Sequence, residues 1–510
     1  MQPSRPGRGN ITVTGRACVL CGMSTPPDFP TPFVHQFPAS RPEAIRAMGA
    51  VVGAAVGDAL GAPFEFGRPG EYTRHFPEAI LGGTGEMVGG GVFGWAPGEF
   101  TDDTQMAMAL AEALLAEDGY DPDVVWSWFR AWAAGARDIG TRTAESLAYA
   151  DWRRVPRAAR HGAGNGALMR AFPLALAFLD ADRNTLQGVV LHQAALTHPD
   201  PAAGWGAWIG VELVRAAILG DNPFDLLDEL LNELPDDQAA QFAPLLTVRW
   251  APGEGTPSNG SVWGCLAEAV WAVRSTDSFE SAITTAIDLG GDTDTVACVA
   301  GAIAGARYGV QAVPSRWATY VNGSISAPTG SVAPAGPVGG RRSYSLFELQ
   351  NIARRLIGLG VKSDTPPESP AGPVEVAPAL HAADLLGAAS VPTDWAVVSL
   401  CRTGERFLAH PVRRAIYLVD EEGDHNLSIG DAVLDAVAAI DAFLAEGRTV
   451  VVHCHGGRSR TGLALKAWAM RSRGLDERGA HRWLKAAWHR YSDYNRDFVD
   501  FLDTEWPRLA

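Results

Sequence analysis

Two short acidic stretches and one cysteine loop hold most of the side chains in this chain that could do chemistry. Thr101-Asp102-Asp103-Thr104 and Gly291-Asp292-Thr293-Asp294-Thr295 each set two carboxylates beside hydroxyls, immediately before a helical run. A Thr or Asp there caps a helix, and acids in a first turn suit the helix dipole, so either cluster alone reads as a cap. Doubled acids exceed what a cap needs. A third stretch, Gly57-Asp58-Ala59-Leu60-Gly61-Ala62-Pro63-Phe64-Glu65-Phe66, adds Glu65 beside glycines that permit close backbone approach. Clustered Asp, Glu and Thr without His or Cys suit Mg²⁺, with Mn²⁺ the alternative, and not zinc. Carboxylates meeting at one point without a cation would repel one another strongly.

The cysteine loop is Val451-Val452-His453-Cys454-His455-Gly456-Gly457-Arg458-Ser459-Arg460-Thr461-Gly462, between an apolar run and a helical one. A strand, a glycine-bearing loop and a helix N-terminus together make an anion site. The backbone N–H groups of Gly456, Gly457, Arg458 and Ser459 would point inward at the bound group. The same field favours a thiolate at the base of the loop. Arg460 can grip two phosphate oxygens with its planar fork, which a lysine cannot. A thiolate beneath a bound phosphate is placed for in-line attack, giving a phosphocysteine that water then cleaves. The leaving oxygen needs a proton, so a carboxylic acid is expected on a nearby loop. Asp420 is the first candidate and Asp424 the second.

The elements that must position these groups divide the chain. At 510 residues it is too long for one ordinary domain. Residues 1–41 read as a flexible leader, and 42–322 as a mainly α-helical domain rich in Ala, Leu and Trp at helical spacing. Residues 323–374 read as a Pro/Gly-rich linker carrying one short amphipathic helix over 345–359. Residues 375–510 read as a small α/β domain, with buried strands over 396–400, 415–419 and 449–453. Near the end of the helical domain, Gly301 and Gly305 among alanines predict a tightly packed central helix, closed by Gly309. Trp126, Trp128 and Trp132 are expected in the core, and His161 and His192 in structural roles.

Composition excludes some partners. A formal net charge of -16 argues against general nucleic-acid binding, which demands clustered positive charge. Six cysteines in so long a chain do not make a disulfide framework, and Cys18 with Cys21 lacks the second pair that structural zinc needs. No run of eighteen uninterrupted apolar residues is present, so no membrane span is expected. The cytoplasm is the expected location.

Two resemblances sharpen this reading. The motifs GDALGxPxEF, TDDT, GNGALMR, LTHPD and GGDTDTVA, in that order over residues 42–322, resemble the ADP-ribosylglycohydrolase family. That resemblance implies an all-α fold with two Mg²⁺ ions held by Thr101, Asp102, Asp103, Asp292, Asp294 and Thr295. It implies Glu65 as a gate or acid/base group over the ribose, Gly164-Asn165-Gly166 near the substrate diphosphate, and His198 near the nucleotide. The implied substrate is an ADP-ribosylated protein or a small ADP-ribose derivative. Residues 375–510 resemble the dual-specificity and tyrosine phosphatase superfamily through its HCxxGxxR(S/T) signature. That implies Cys454 as nucleophile, Arg460 as phosphate binder and Thr461 as the hydroxyl that helps the thiolate leave, with a phosphorylated substrate. The expected protein is a bifunctional hydrolase; the alternative is that one domain only binds, as a phospho-ligand or ADP-ribose reader.

Overall fold

Helix α1 (Arg41–Gly61) begins with a capping box in which Ser40 and Glu43 satisfy each other's backbone donors. In this computed structural model, which describes residues 30–33, 39–156, 163–329, 340–360, 369–423 and 425–509, α1 is the spine of the first domain. Its glycines recur every fourth residue, at 49, 53, 57 and 61, so they form one stripe along the helix. Helix α2 (Asp102–Ala116), helix α3 (Pro201–Leu219) and helix α4 (Thr293–Tyr308) complete the centre of the bundle.

The glycine stripe explains how α1 and α4 meet. A Cβ on Gly49 would lie 2.0 Å from the Gly305 carbonyl oxygen, one on Gly53 2.4 Å from that of Gly301, and one on Gly57 2.0 Å from that of Ala297. The two backbones therefore touch, antiparallel, with no side chain between them. Gly309 ends α4 at φ 83°, as expected. This crossing brings Asp58, near the end of α1, to the N-terminus of α4. Gly301→Val is expected to destabilise the domain by about 3 kcal/mol or more, because the helices must separate to admit the side chain. An unchanged denaturation midpoint would show that the contact is not made.

By length and hydropathy, the segment Arg41–Phe64 and helix α3 could each span a bilayer, yet 94% of each apolar window is buried inside the protein. They are core helices here. Trp126, Trp128 and Trp132 are buried, the last donating its indole N–H to Gln105 Oε1 at 2.9 Å. His192 is also buried, sharing a 2.8 Å hydrogen bond with the Tyr120 hydroxyl.

The boundaries differ from expectation at two places. Strand β1 (Thr31–Pro32), within the expected leader, pairs with β2 (Gly119–Tyr120). Much of the expected linker is part of the first domain. Strand β3 (Asn322–Ser326) pairs antiparallel with β4 (Arg341–Ser345), and α5 (Leu346–Leu356) follows, opened by a Ser345/Glu348 capping box. Leu349, Ala353 and Leu356 of α5 are fully buried in the first domain's core. Small turn-forming residues hid a hairpin whose partner strand lies beyond the Pro-rich stretch.

The second domain is built on a five-stranded sheet in the order β5 (Val374–Ala377), β6 (Leu380–Ala383), β9 (Val450–His453), β7 (Ala396–Ser399), β8 (Arg413–Ala415). β6, β9, β7 and β8 are mutually parallel, and only β5 runs antiparallel to its neighbour. The central β9 is fully buried, which its unbroken Val450-Val451-Val452 run reflects. The strand expected over 415–419 ends instead at Ala415. Beyond it the chain leaves the ladder toward the first domain, where Val419 joins that domain's core. Helix α6 (Ile429–Ala445) and helix α7 (Ser459–Arg473) follow in the same domain.

The two domains are docked through partly buried polar contacts. Arg414 donates to the carbonyls of Leu81 at 2.8 Å and Gly83 at 2.9 Å. Asp435 accepts from the Ser315 backbone N–H at 2.7 Å and its hydroxyl at 2.9 Å.

Candidate functional site

The acidic clusters converge where α1, α2 and α4 meet. Asp58, fully buried, accepts the backbone N–H of Thr101 at 2.8 Å and of Thr104 at 3.0 Å, so it caps α2 from another helix. Ligand atoms of Asp58, Asp103 and Asp294 lie within 4.8 Å of one another, as do those of Glu65, Asp292 and Asp294. Asp294 is common to both triads. Asp103 accepts the Thr101 hydroxyl at 3.1 Å on Oδ2 and a bond from the Thr295 side chain, while its buried Oδ1 has no partner. Glu65 Oε2 is likewise buried without one. Asp102 is buried beside them but belongs to neither triad.

The electrostatics follow from this crowding. Burial, then the neighbouring carboxylates, pushes Asp102, Asp103 and Asp294 well above the usual range. Burial pushes Asp58 up to about 6, and burial with Asp138, Asp292 and Asp58 pushes Glu65 up to about 8. Buried like charges at this spacing are relieved by protons or by a cation. The donor set is all oxygen, hard and negative, with two orphaned carboxylate oxygens turned into it. It fits a small divalent cation better than zinc.

The expected substrate loop is brought to the same place, with a different task for its amide. Asn165 opens a short 3₁₀ turn (Asn165–Ala167) and donates through Nδ2 to Asp292 at 2.8 Å and to the Asn259 carbonyl at 2.9 Å. Both amide hydrogens are thus spent, one on Asp292 and one on the Asn259 backbone. His198 lies against this loop: a Cβ on Gly166 would come within 2.9 Å of its ring, while Gly164 has ordinary contact at 3.4 Å. Burial, followed by Arg170 and Arg142, lowers the His198 pKa to about 3, so the ring is neutral and shares a 2.9 Å bond with the Thr197 hydroxyl. His161 lies outside the described residues.

Four residues of this centre were missed by sequence reasoning. Asp58 stood inside the quoted GDALG stretch, where its capping role depends on a partner helix. Asp138 is an isolated acid, pushed up to about 6 by burial and by Asp292. Asn259 accepts the Asp292 backbone N–H at 3.1 Å through Oδ1 and donates to Glu268 at 2.9 Å, and burial pushes Glu268 up to about 7. Only Asp58 carried a signal, directly after Gly57 in the stretch already singled out.

The second centre sits at the carboxyl ends of the parallel strands, where α/β sheets place ligands. Cys454 follows β9 and is buried. Gly457 has φ 66° and no room for a side chain, since a Cβ would lie 2.8 Å from the Ala383 carbonyl oxygen. Trp488 locks its carbonyl with a 2.6 Å indole bond. Gly456 is half-buried, Arg458 exposed and Ser459 buried at the first position of α7. Arg460 donates to the Leu418 carbonyl at 3.0 Å and lies 3.6 Å from Asp420. Asp420 in turn accepts the Tyr494 hydroxyl at 2.6 Å. Thr461 Oγ1 is buried without a partner. Burial lowers His453 to about 4, so this ring is neutral and hydrogen-bonded to the Ser399 hydroxyl at 2.7 Å. The Cys/Arg/Asp constellation is therefore assembled around Asp420; Asp424 lies outside the described residues.

Comparison with known proteins bears on the first centre. The ADP-ribosylglycohydrolase family profile matches residues 40–337, more than half the chain. An ADP-ribosyl-[dinitrogen reductase] glycohydrolase of Rhodospirillum rubrum is 32% identical over 275 residues, covering 53% of this chain and 88% of that one. The ADP-ribosylarginine hydrolase Tri1 of Pseudomonas putida (strain GB-1) is 30% identical over 291 residues, covering 54% and 74%. A solved structure described as an ADP-ribosylglycohydrolase-related protein complex aligns with a TM-score of 0.51 and 31% identity, over 63% of this chain and 100% of that one. The span matched by the family profile contains the whole acidic centre. The chain belongs to the ADP-ribosylglycohydrolase family.

Proposed function

We propose that the first domain hydrolyses the glycosidic bond of ADP-ribosylated substrates, proteins or small ADP-ribose derivatives, with a pair of divalent cations at its acidic centre. The observation that carries the reading is the two carboxylate triads joined at Asp294, with orphaned oxygens on Asp103 and Glu65. Asp58, Asp103, Asp292 and Asp294, with Thr101 and Thr295 behind them, would hold the ions, Mg²⁺ by donor chemistry. Bound there, the ions supply Lewis acidity that fixes the vicinal hydroxyls of the ribosyl ring and offsets the clustered negative charge.

The chain's own residues do the rest. Glu65 holds a proton near neutral pH and can pass it to the leaving group as the bond breaks. The carboxylates around it stabilise the oxocarbenium-like charge on the sugar. Neutral His198 offers a hydrogen bond without adding charge, and Asn165 with Asn259 fixes Asp292. Release of free ADP-ribose from ADP-ribosyl-arginine and ADP-ribosyl-serine peptides tests this. Turnover with Mg²⁺, lost in EDTA and restored by excess Mg²⁺, is the expected result. Release that persists undiminished in EDTA would overturn the cation reading.

A second activity is favoured by the other centre: phosphate monoester hydrolysis through Cys454, in the same chain. The Cys454 sulfur forms the bond to phosphorus, Arg460 and the loop N–H groups hold the phosphoryl oxygens, and Asp420 protonates the leaving oxygen. Thr461, its hydroxyl unpartnered, is free to stabilise the thiolate when water cleaves the intermediate. Nothing in either centre calls for nucleic acid or a membrane, and we place the protein in the cytoplasm.

A further inference from the structure

The seam between the domains encloses a cavity of about 300 Å³ that neither centre uses. Three arginines, Arg402, Arg413 and Arg414, line it with the rings of Tyr320, Phe347 and Phe407. No Asp or Glu lines it, in a chain with 58 acidic and 42 basic residues. Against that composition, an acid-free, arginine-rich cavity is a built feature.

The arginines differ in what they have left to give, and Arg402 already donates to the Asn351 side-chain oxygen. Arg414 spends its donors on the Leu81, Gly83 and Arg413 carbonyls and clamps the seam. Arg413 gives one donor to the His410 carbonyl at 2.9 Å, and no carboxylate pairs with it among the described residues. Burial alone lowers its pKa, the mark of a cation short of counter-charge. Its guanidinium lies 5.1 Å from the Tyr320 ring centroid, and that of Arg402 lies 4.8 Å from the Phe347 ring. Half-buried positive charge beside aromatic faces suits a ligand with an anionic end and a flat end. The volume is at the small end for organic ligands.

We propose that this cavity binds a phosphate-bearing ligand with a planar ring, of nucleoside monophosphate size, its phosphate on Arg413 and Arg402 and its ring among Tyr320, Phe347 and Phe407. The site shares the 399–401 segment with the cysteine centre, because Arg460 also reaches the Leu400 carbonyl at 3.4 Å. It takes no part in either reaction.

The test is photolabelling of the full chain with 8-azidoadenosine monophosphate, followed by peptide mass mapping. Label is expected on peptides containing Phe347 or Phe407, displaced by AMP but not by adenosine. Arg413→Gln should reduce it about tenfold, and Asp103→Asn at the acidic centre should leave it unchanged. Should Arg413→Gln lose its melting transition, Arg402→Gln decides in its place. Label confined to the acidic centre or the cysteine loop, or displaced equally by adenosine, would overturn the proposal.

Discussion

Asp103→Asn should lower kcat/KM for ADP-ribosyl-peptide hydrolysis by about three orders of magnitude, on the order of 4 kcal/mol of transition-state stabilisation. Its Oδ2 is already held by Thr101, so Oδ1 is the atom turned toward the cation site. An amide can keep the hydroxyl contact but cannot supply the charge. A second readout separates this from damage to the fold. Burial, then Asp58 and Asp102, raises the Asp103 pKa, so in EDTA the native protein retains a proton that the unfolded chain releases near pH 4. Stability then falls as pH rises from about 4 toward the folded value. Asparagine has no such titration. In EDTA at neutral pH the variant should therefore melt higher than the native protein, with the gap closing as pH falls. A variant that loses both turnover and stability would mean that Asp103 is structural.

Cys454→Ser should abolish hydrolysis of an aryl phosphate, by at least about 10⁴-fold in kcat, while leaving ADP-ribosyl-peptide cleavage intact. Serine preserves the size of the side chain in a fully packed site, so the loss isolates nucleophilicity. Arg460→Lys should cost less, about a hundredfold, and mostly in KM, because a point charge replaces a planar fork. Asp420→Asn should slow only substrates with poor leaving groups, since a good one departs without a proton. Residual aryl phosphate turnover in Cys454→Ser equal to the native rate would sink the nucleophile assignment. Tight binding of phosphate esters with no native turnover would make the domain a reader.

Both centres were legible because each announces itself in a short window. TDDT, GDTDT and HCxxGxxR need only local geometry to place their side chains, and the helices and strand that carry them formed where the patterns indicated. What escaped was whatever depends on a distant partner. Asp58 caps a helix whose N-cap, Thr101, lies 43 residues later. Asp138 and Asn259 lie on loops whose own sequences carry no pattern, and the fold alone delivers them to Asp292. The apolar run at 415–419 was covered as expected, but only its beginning by sheet pairing; Ile416 and Leu418 turn into the second domain's core and Val419 into the first's. Hydrophobicity reports that a segment is covered, not what covers it. The β3–β4 hairpin escaped for a similar reason, since its strands are short, half-exposed and separated by a Pro-rich stretch.

Asp58 has one further consequence. The carboxylate that closes the first turn of α2 is the same one that faces the cation site, so folding and ion occupancy are linked equilibria. A ligand present at a hundred times its Kd adds about 2.7 kcal/mol to the state that binds it. For this domain that increment would enter the fold at the Thr101 and Thr104 amides, at one end of one helix. Cellular divalent-ion supply would then set how long the chain survives as well as how fast it turns over.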